Sequence, residues 1–411
     1  MKILLLLFFF FSFNAFSKGL KTNILIFGDS GYHQSFQDEK EKDGLTMEEW
    51  KKEAINDGEV IGQKPVIAPL VLNPFKKKHY LKEGGAFYVG RAMKNFCEKN
   101  SCEFSLMLGD NIYPNGATGD KEDEKIFRQL IYLPLKNIEK KNKDFRFYVI
   151  MGNHDWYSHE YVPDNLERMK KLSFDGIYSQ MEYYARPSSR FILNPESTDP
   201  KRKTYYKFST NNGQVEIFAL DTMRIISGLP VKNYKDPNKL AKNFNPTSKE
   251  ELEEQINWLK ESLKNSKADW KIVMGHHPIL SVGGTKWQEA NSLRELILPT
   301  LCQYADLYAA GHEHDLEYHT APCEGLPDLE LLVSGAASKQ RSVDVNPSSK
   351  NLIKEQRKEY KFAKGMIWGF AHMSIKNDSA EVKLLEVSKK GTYKTIFKRS
   401  FKRRFKPTGK K

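Results

Sequence analysis

After its first seventeen residues the chain has no apolar run long enough to cross a bilayer, which excludes a protein built on several membrane-spanning helices. Internal repeats and low-complexity tracts are absent, so neither a solenoid nor a disordered scaffold fits. Cysteine is scarce: Cys97, Cys102, Cys302 and Cys323 are the only four, and no pair has CxxC spacing, which argues against a thiolate zinc site. Acidic residues are missing altogether from Lys389 to Lys411, where 11 basic residues lie. The net charge is +13, from 65 Lys and Arg against 52 Asp and Glu, so most of the excess sits in this segment and the remainder is near neutral. Such a basic end can contact an anionic surface but predicts no specific nucleic-acid partner.

The first residues have the form of an export signal. Met1 and Lys2 precede an apolar run from Ile3 to Phe13, and in Ala15, Phe16, Ser17 the small residues Ala15 and Ser17 fit a cleavage site. The sequence therefore predicts a signal peptide over 1–17 and a secreted or periplasmic protein. An even number of cysteines suits that compartment. Four cysteines allow three pairings; Cys97 with Cys102 and Cys302 with Cys323 are preferred because each closes a local loop.

Five apolar, strand-like runs share one ending. Ile24 to Phe27 leads into Gly28 and Asp29, Phe104 to Leu108 into Gly109 and Asp110, and Phe147 to Met151 into Gly152, Asn153, His154 and Asp155. Lys271 to Met274 leads into Gly275, His276 and His277, and Asp306 to Ala310 into Gly311, His312, Glu313 and His314. A buried strand that stops at Gly leaves the next side chain at the sheet rim, where a ligand can reach it. This single series argues for one domain over 18–400, with insertions near 34–83 and 341–361 and a basic tail over 401–411. The first insertion departs beside Asp29 and reads as a lid.

Between the strands, Gly85 to Cys97 predicts an amphipathic helix with Phe87, Val89, Met93 and Phe96 facing the sheet. Lys121 to Lys140 repeats the helical pattern, and Thr46 to Ile55 reads as a charged helix. Asn211, Asn212 and Gly213 mark a hairpin between Tyr205–Phe208 and Val215–Leu220, a strand closed by Asp221 and Thr222. Ser248 and Glu251 form a capping box before the helical run Leu252 to Leu263. Segments near 329–333, 370–375, 380–387 and 392–397 look like strands and suggest an antiparallel addition to the second sheet.

Carboxylates, an amide oxygen and imidazoles together suit borderline first-row metals better than calcium. Asp110 can offer one oxygen to each of two ions roughly 3.5–4 Å apart. The set GDSG (28–31), GDNIY (109–113), GNHD (152–155), VMGHH (273–277) and GHEH (311–314) resembles, in order, the five blocks of the calcineurin-like metallophosphoesterases. Tyr113 makes it similar in particular to the purple, tartrate-resistant acid phosphatases. The resemblance implies an α/β fold: a four-layer sandwich of two mixed β-sheets flanked by helices, with a binuclear metal site at the strand ends. It implies Fe(III) held by Asp29, Asp110, Tyr113 and His314, and Fe(II), Zn(II) or Mn(II) held by Asp110, Asn153, His276 and His312. His154 would contact the phosphate and assist the leaving group, Asp155 would orient its imidazole, and His277 would be a neighbouring or substrate contact. His33, His159 and His319 read as surface or packing histidines. The expected activity is phosphomonoester hydrolysis by metal-bound hydroxide, in a monomer. The alternatives are a phosphodiesterase or nucleotidase, and a non-catalytic metal or polyanion binder.

Overall fold

The computed structural model describes residues 19–35, 43–56, 60–61, 64–157, 174–194, 203–229, 247–283, 287–343 and 359–406. The signal over 1–17, His159, most of the second insertion and the last residues of the tail lie outside these. Strands of the first sheet are β1 (Lys21–Phe27), β2 (Phe104–Met107), β3 (Phe147–Val149) and β4 (Phe191–Ile192). The second sheet begins with β5 (Tyr206–Thr210), β6 (Val215–Ala219), β7 (Trp270–Met274), β8 (Leu307–Ala310), β9 (Leu316–Cys323), β10 (Leu326–Ser334) and β11 (Tyr360–Lys364). Three C-terminal strands follow, β12 (Trp368–Lys376), β13 (Ser379–Val387) and β14 (Tyr393–Lys402).

These form two seven-stranded mixed sheets, in the orders β14-β13-β12-β1-β2-β3-β4 and β11-β9-β10-β8-β7-β6-β5. The alternation of side chains along each strand builds the layers. Ile24, Ile26, Leu106 and Leu108 pack against Ile217, Ile272, Leu307 and Leu332 between the sheets. Leu25, Phe27 and Met107 point the other way, onto Val89, Met93 and Phe96 of helix α1 (Ala86–Asn100). On the far side, Val273, Tyr308 and Leu331 meet Leu259 and Leu263 of α2 (Lys249–Asn265) and Leu293, Ile297 and Leu301 of α3 (Trp287–Tyr304). Each such fully buried side chain contributes roughly 1.5–3 kcal/mol. The predicted α/β sandwich flanked by helices is therefore the fold.

Local expectations mostly hold. Ser248 caps α2 reciprocally with Glu251, the hairpin at 211–213 joins β5 to β6, and both local disulfides, Cys97–Cys102 and Cys302–Cys323, are formed. Three differ. β12, β13 and β14 join the first sheet, not the second, because β12 pairs antiparallel with β1 and covers an edge whose residues Ile24 to Phe27 are buried. Phe87 does not face the sheet; it is 37% exposed and its ring lies against His33. The segment 121–140 is not one regular helix: it widens into a π-helical stretch, Phe127–Tyr132, just before Pro134, which cannot donate a helical hydrogen bond.

Candidate metal centre

The parallel strands β1, β2 and β3 of one sheet and β6, β7 and β8 of the other end at the same rim. Backbone bonds stitch the ends together: Asp29 N donates to Gly109 O, Gly31 N to Asp110 O, and Gly311 N to His276 O. At this rim Asp29, Asp110 and His312 all have positive φ, 56°, 53° and 70°. A left-handed conformation costs a non-glycine residue on the order of 1–2 kcal/mol, and here it turns each side chain back over its strand end. Gly152 has no such choice of residue, since a Cβ there would run into the carboxylate of Asp110.

Two groups of donor atoms result. In the first, the Tyr113 hydroxyl lies 2.9 Å from Asp29 Oδ1, 2.6 Å from Asp110 Oδ2 and 3.0 Å from His314 Nε2. In the second, His276 Nε2 lies 3.0 Å from Asn153 Oδ1, 3.2 Å from His312 Nδ1 and 3.3 Å from Asp110 Oδ1. Asp110 belongs to both, one oxygen to each. His276 Nδ1 donates to the Leu108 carbonyl at 2.8 Å, which fixes the ring and aims Nε2 into the second group. Asp29, Asp110 and His276, and separately His276, His277 and His312, offer donor atoms within 4.8 Å of one another. A third such group among the described residues, Cys97, Cys102 and Glu139, is closed to metal by its disulfide. Hard oxygens and imidazoles converging on two points fit a pair of borderline divalent or trivalent ions.

The electrostatics of the bare protein support that fit. Burial, with the charge of Asp110, pushes the Asp29 carboxyl well above its usual range. Burial acts on Asp110 too, but the imidazoles of His276 and His154 outweigh it and hold that carboxyl well below the usual range. His276 is pushed up to about 9, because Asp110 overcomes the penalty of burial. Burial and the two carboxylates drive the Tyr113 phenol well above 10.0. A proton on His276 thus offsets the carboxylates where a cation is absent, and a bound cation would displace it.

The remaining predicted residues divide. His154 stands beside Asp110, its Nε2 4.0 Å from Oδ2, with Nδ1 bonded to the Pro114 carbonyl. Burial lowers its pKa to about 4. Asp155 does not orient that imidazole. Its carboxylate accepts from the backbone of Asn111, Ile112 and Gly152 and from the Asn111 amide, so it clamps the 110–112 turn to the 152–155 turn. His277 Nδ1 is 2.8 Å from Thr222 Oγ1, which also accepts from the backbone of His276 and His277 at 3.1 and 3.0 Å. The Thr222 hydroxyl therefore donates to His277 Nδ1 and leaves the proton on Nε2. Sequence reasoning assigned no role to Thr222, although it closes β6 with the same strand-end placement as the others. His319 is fully buried against Glu317, and His33 is partly exposed.

Two donor groups at the strand ends are compatible with a binuclear metal centre, and the chain belongs to the calcineurin-like phosphoesterase family, which matches over residues 22–316. It is similar to tartrate-resistant acid phosphatase type 5 of Sus scrofa, 26% identical over 300 residues, which cover 71% of this chain and 75% of that one. Purple acid phosphatase 17 of Arabidopsis thaliana is 28% identical over 269 residues, 64% and 67% of the two chains. Among solved structures, the fold is shared with the purple acid phosphatase of yellow lupin, Lupinus luteus (TM-score 0.53, 11% identity, 95% of this chain and 55% of that one). It is shared also with the inner-membrane-complex anchor of Plasmodium (TM-score 0.57, 17% identity, 95% and 91%). The chain is thus a metal-dependent phosphoester hydrolase by family, and no helix among the described residues is long and apolar enough to cross a membrane.

Proposed function

We propose that the protein is a phosphomonoesterase of the purple acid phosphatase type, with Fe(III) held by Asp29, Asp110, Tyr113 and His314 and Fe(II), Zn(II) or Mn(II) held by Asp110, Asn153, His276 and His312. The observation that carries this reading is Asp110, whose two oxygens face two separate donor groups. Two bound ions would supply Lewis acidity toward the phosphoryl oxygens and an activated water.

The chain's own residues do the rest. His154 Nδ1 donates to Pro114 O, so a neutral ring presents Nε2 as a bare lone pair. Only the imidazolium can then give a proton from Nε2 to the leaving oxygen, which departs as a neutral alcohol. With a pKa of about 4 in the free protein, that form is populated in acid. The dianionic phosphate of a bound ester favours the charged ring further. His277, holding its proton on Nε2, would donate a hydrogen bond to substrate rather than ligate a metal. Asp155 and Thr222 keep the turns that carry these groups in register.

Export through a signal over 1–17 belongs to the same proposal, supported by the two disulfides. The test is turnover of a small aryl phosphate against the corresponding diester. The proposal expects the monoester to be preferred; a faster diester reaction assigns the protein to the phosphodiesterases instead.

A further inference from the structure

Beside His314 lies a cavity of about 150 Å³, walled by Tyr32, Lys82, Lys339 and Arg341. It is smaller than the roughly 300–1,000 Å³ of a site for a whole small molecule, and suits a single charged group. Its lining carries three cations against one carboxylate, Glu83, which already accepts from Lys389 and Tyr88. Arg341 is bonded to Glu313 at 2.6 Å. The two lysines are held over aromatic faces: Lys339 Nζ is 4.4 Å from the Tyr113 ring centre and 5.2 Å from that of Tyr32, and Lys82 Nζ is 4.9 Å from the Trp50 ring. Tyr113 is the residue whose hydroxyl touches Asp29, Asp110 and His314, so the Lys339 ammonium stands one ring away from the donor atoms of the first group. Its charge bears on both His154 and His314. Lys82 ends a short hairpin strand, Tyr80–Lys82, of the first insertion, so that insertion builds one wall of the space next to the centre.

We infer that this cavity receives a second anionic group of the substrate, and that the protein selects compact phosphate esters bearing a carboxylate or a further phosphate close to the scissile one. The inference rests on the reading of the centre as a phosphoesterase site. A phosphate held at the centre would turn a neighbouring group on its substituent toward the Lys339 ammonium over Tyr113, with Lys82 lining the same cavity. An uncharged substituent gains nothing from the two lysines.

The test compares two probes that cannot be hydrolysed, phosphonoacetate and methylphosphonate, which differ by one carboxylate. Calorimetric titration of the metal-loaded full chain should give phosphonoacetate about tenfold tighter binding or more, as expected for charge-assisted contacts. Lys339→Met and Lys82→Met should each reduce that ratio at least about threefold with metal content unchanged, and added salt should reduce it in the wild type. A wild-type ratio within about twofold of unity, or a ratio untouched by both substitutions, overturns the inference. If the ratio fails while aryl phosphate is turned over, the second-anion cavity is wrong and the hydrolase reading stands. If the ratio holds while no ester is hydrolysed, the hydrolase reading fails and the anion cavity stands.

Discussion

Replacing Asp155 by Asn changes one oxygen to an NH2 group and almost nothing in volume, yet the surroundings leave no orientation that suits an amide. Ile112 N and Asn111 N point at Oδ1, at 3.1 and 3.0 Å, and Gly152 N and the Asn111 amide point at Oδ2, at 2.8 and 3.1 Å. With the new NH2 at the Oδ1 position, Asn111 N keeps the other oxygen at 3.2 Å but Ile112 N faces a donor; with it at Oδ2, Gly152 N and the Asn111 amide do. Leaving a buried donor without an acceptor costs about 1–3 kcal/mol, and the less costly orientation leaves one, so the expected loss is about 1–3 kcal/mol. That is a measurable part of the roughly 5–15 kcal/mol typical of a folded domain. The same bonds tie the turn bearing Asp110 to the turn bearing Asn153 and His154, so Asp155→Asn should also bind metal more weakly. Chemical denaturation of the metal-loaded protein, with metal analysis of the folded fraction, measures both. Stability within about 0.5 kcal/mol of wild type, with full metal content, would refute the claim that Asp155 is the clamp.

His154→Ala should keep both metals and lose on the order of 10²–10⁴ in turnover, with a smaller loss for esters of acidic alcohols; equal losses across leaving groups would remove the acid role. Tyr113→Phe should abolish the visible colour expected of a ferric phenolate while two metals and part of the activity remain, since the phenol loses its proton only to a strongly charged ion. His372 is buried in β12 with neither ring nitrogen hydrogen-bonded, and burial first, then Lys383, lowers its pKa from 6.5 to about 4. Because the folded value is the lower one, stability is complete above pH 6.5 and falls through that window to pH 4, by about 3 kcal/mol at 1.36 kcal/mol per unit. Melting curves of His372→Leu should show a shallower acid loss over the same window, and an unchanged slope would discount His372.

The centre was legible because its signal is local. Gly followed by a ligand at the end of an apolar run fixes where the chain leaves the sheet, and five such ends of two sheets have one common rim to occupy. Partners chosen across the fold were not legible. That the imidazole of His154 meets the Pro114 carbonyl, and that Asp155 serves backbone donors, depends on how two turns stack. Lys339 sits far along the chain from Tyr113, in a stretch without strand periodicity, and nothing local marks it. The alternation in 370–387 announces strands but not their neighbour; β1 takes them because its open edge is otherwise buried and unpaired. Pro134 was visible in the sequence, but the helical spacing around it hid the widened turn that precedes it.

Two metal ions held around Asp110 are proposed to carry out phosphate-ester hydrolysis. The most direct test follows turnover of a small aryl phosphate, together with metal content per chain, through chelation and reconstitution. Two ions per chain in the active protein, activity lost on their removal and restored on their return, is the expected result. Undiminished turnover by the metal-free protein would contradict it.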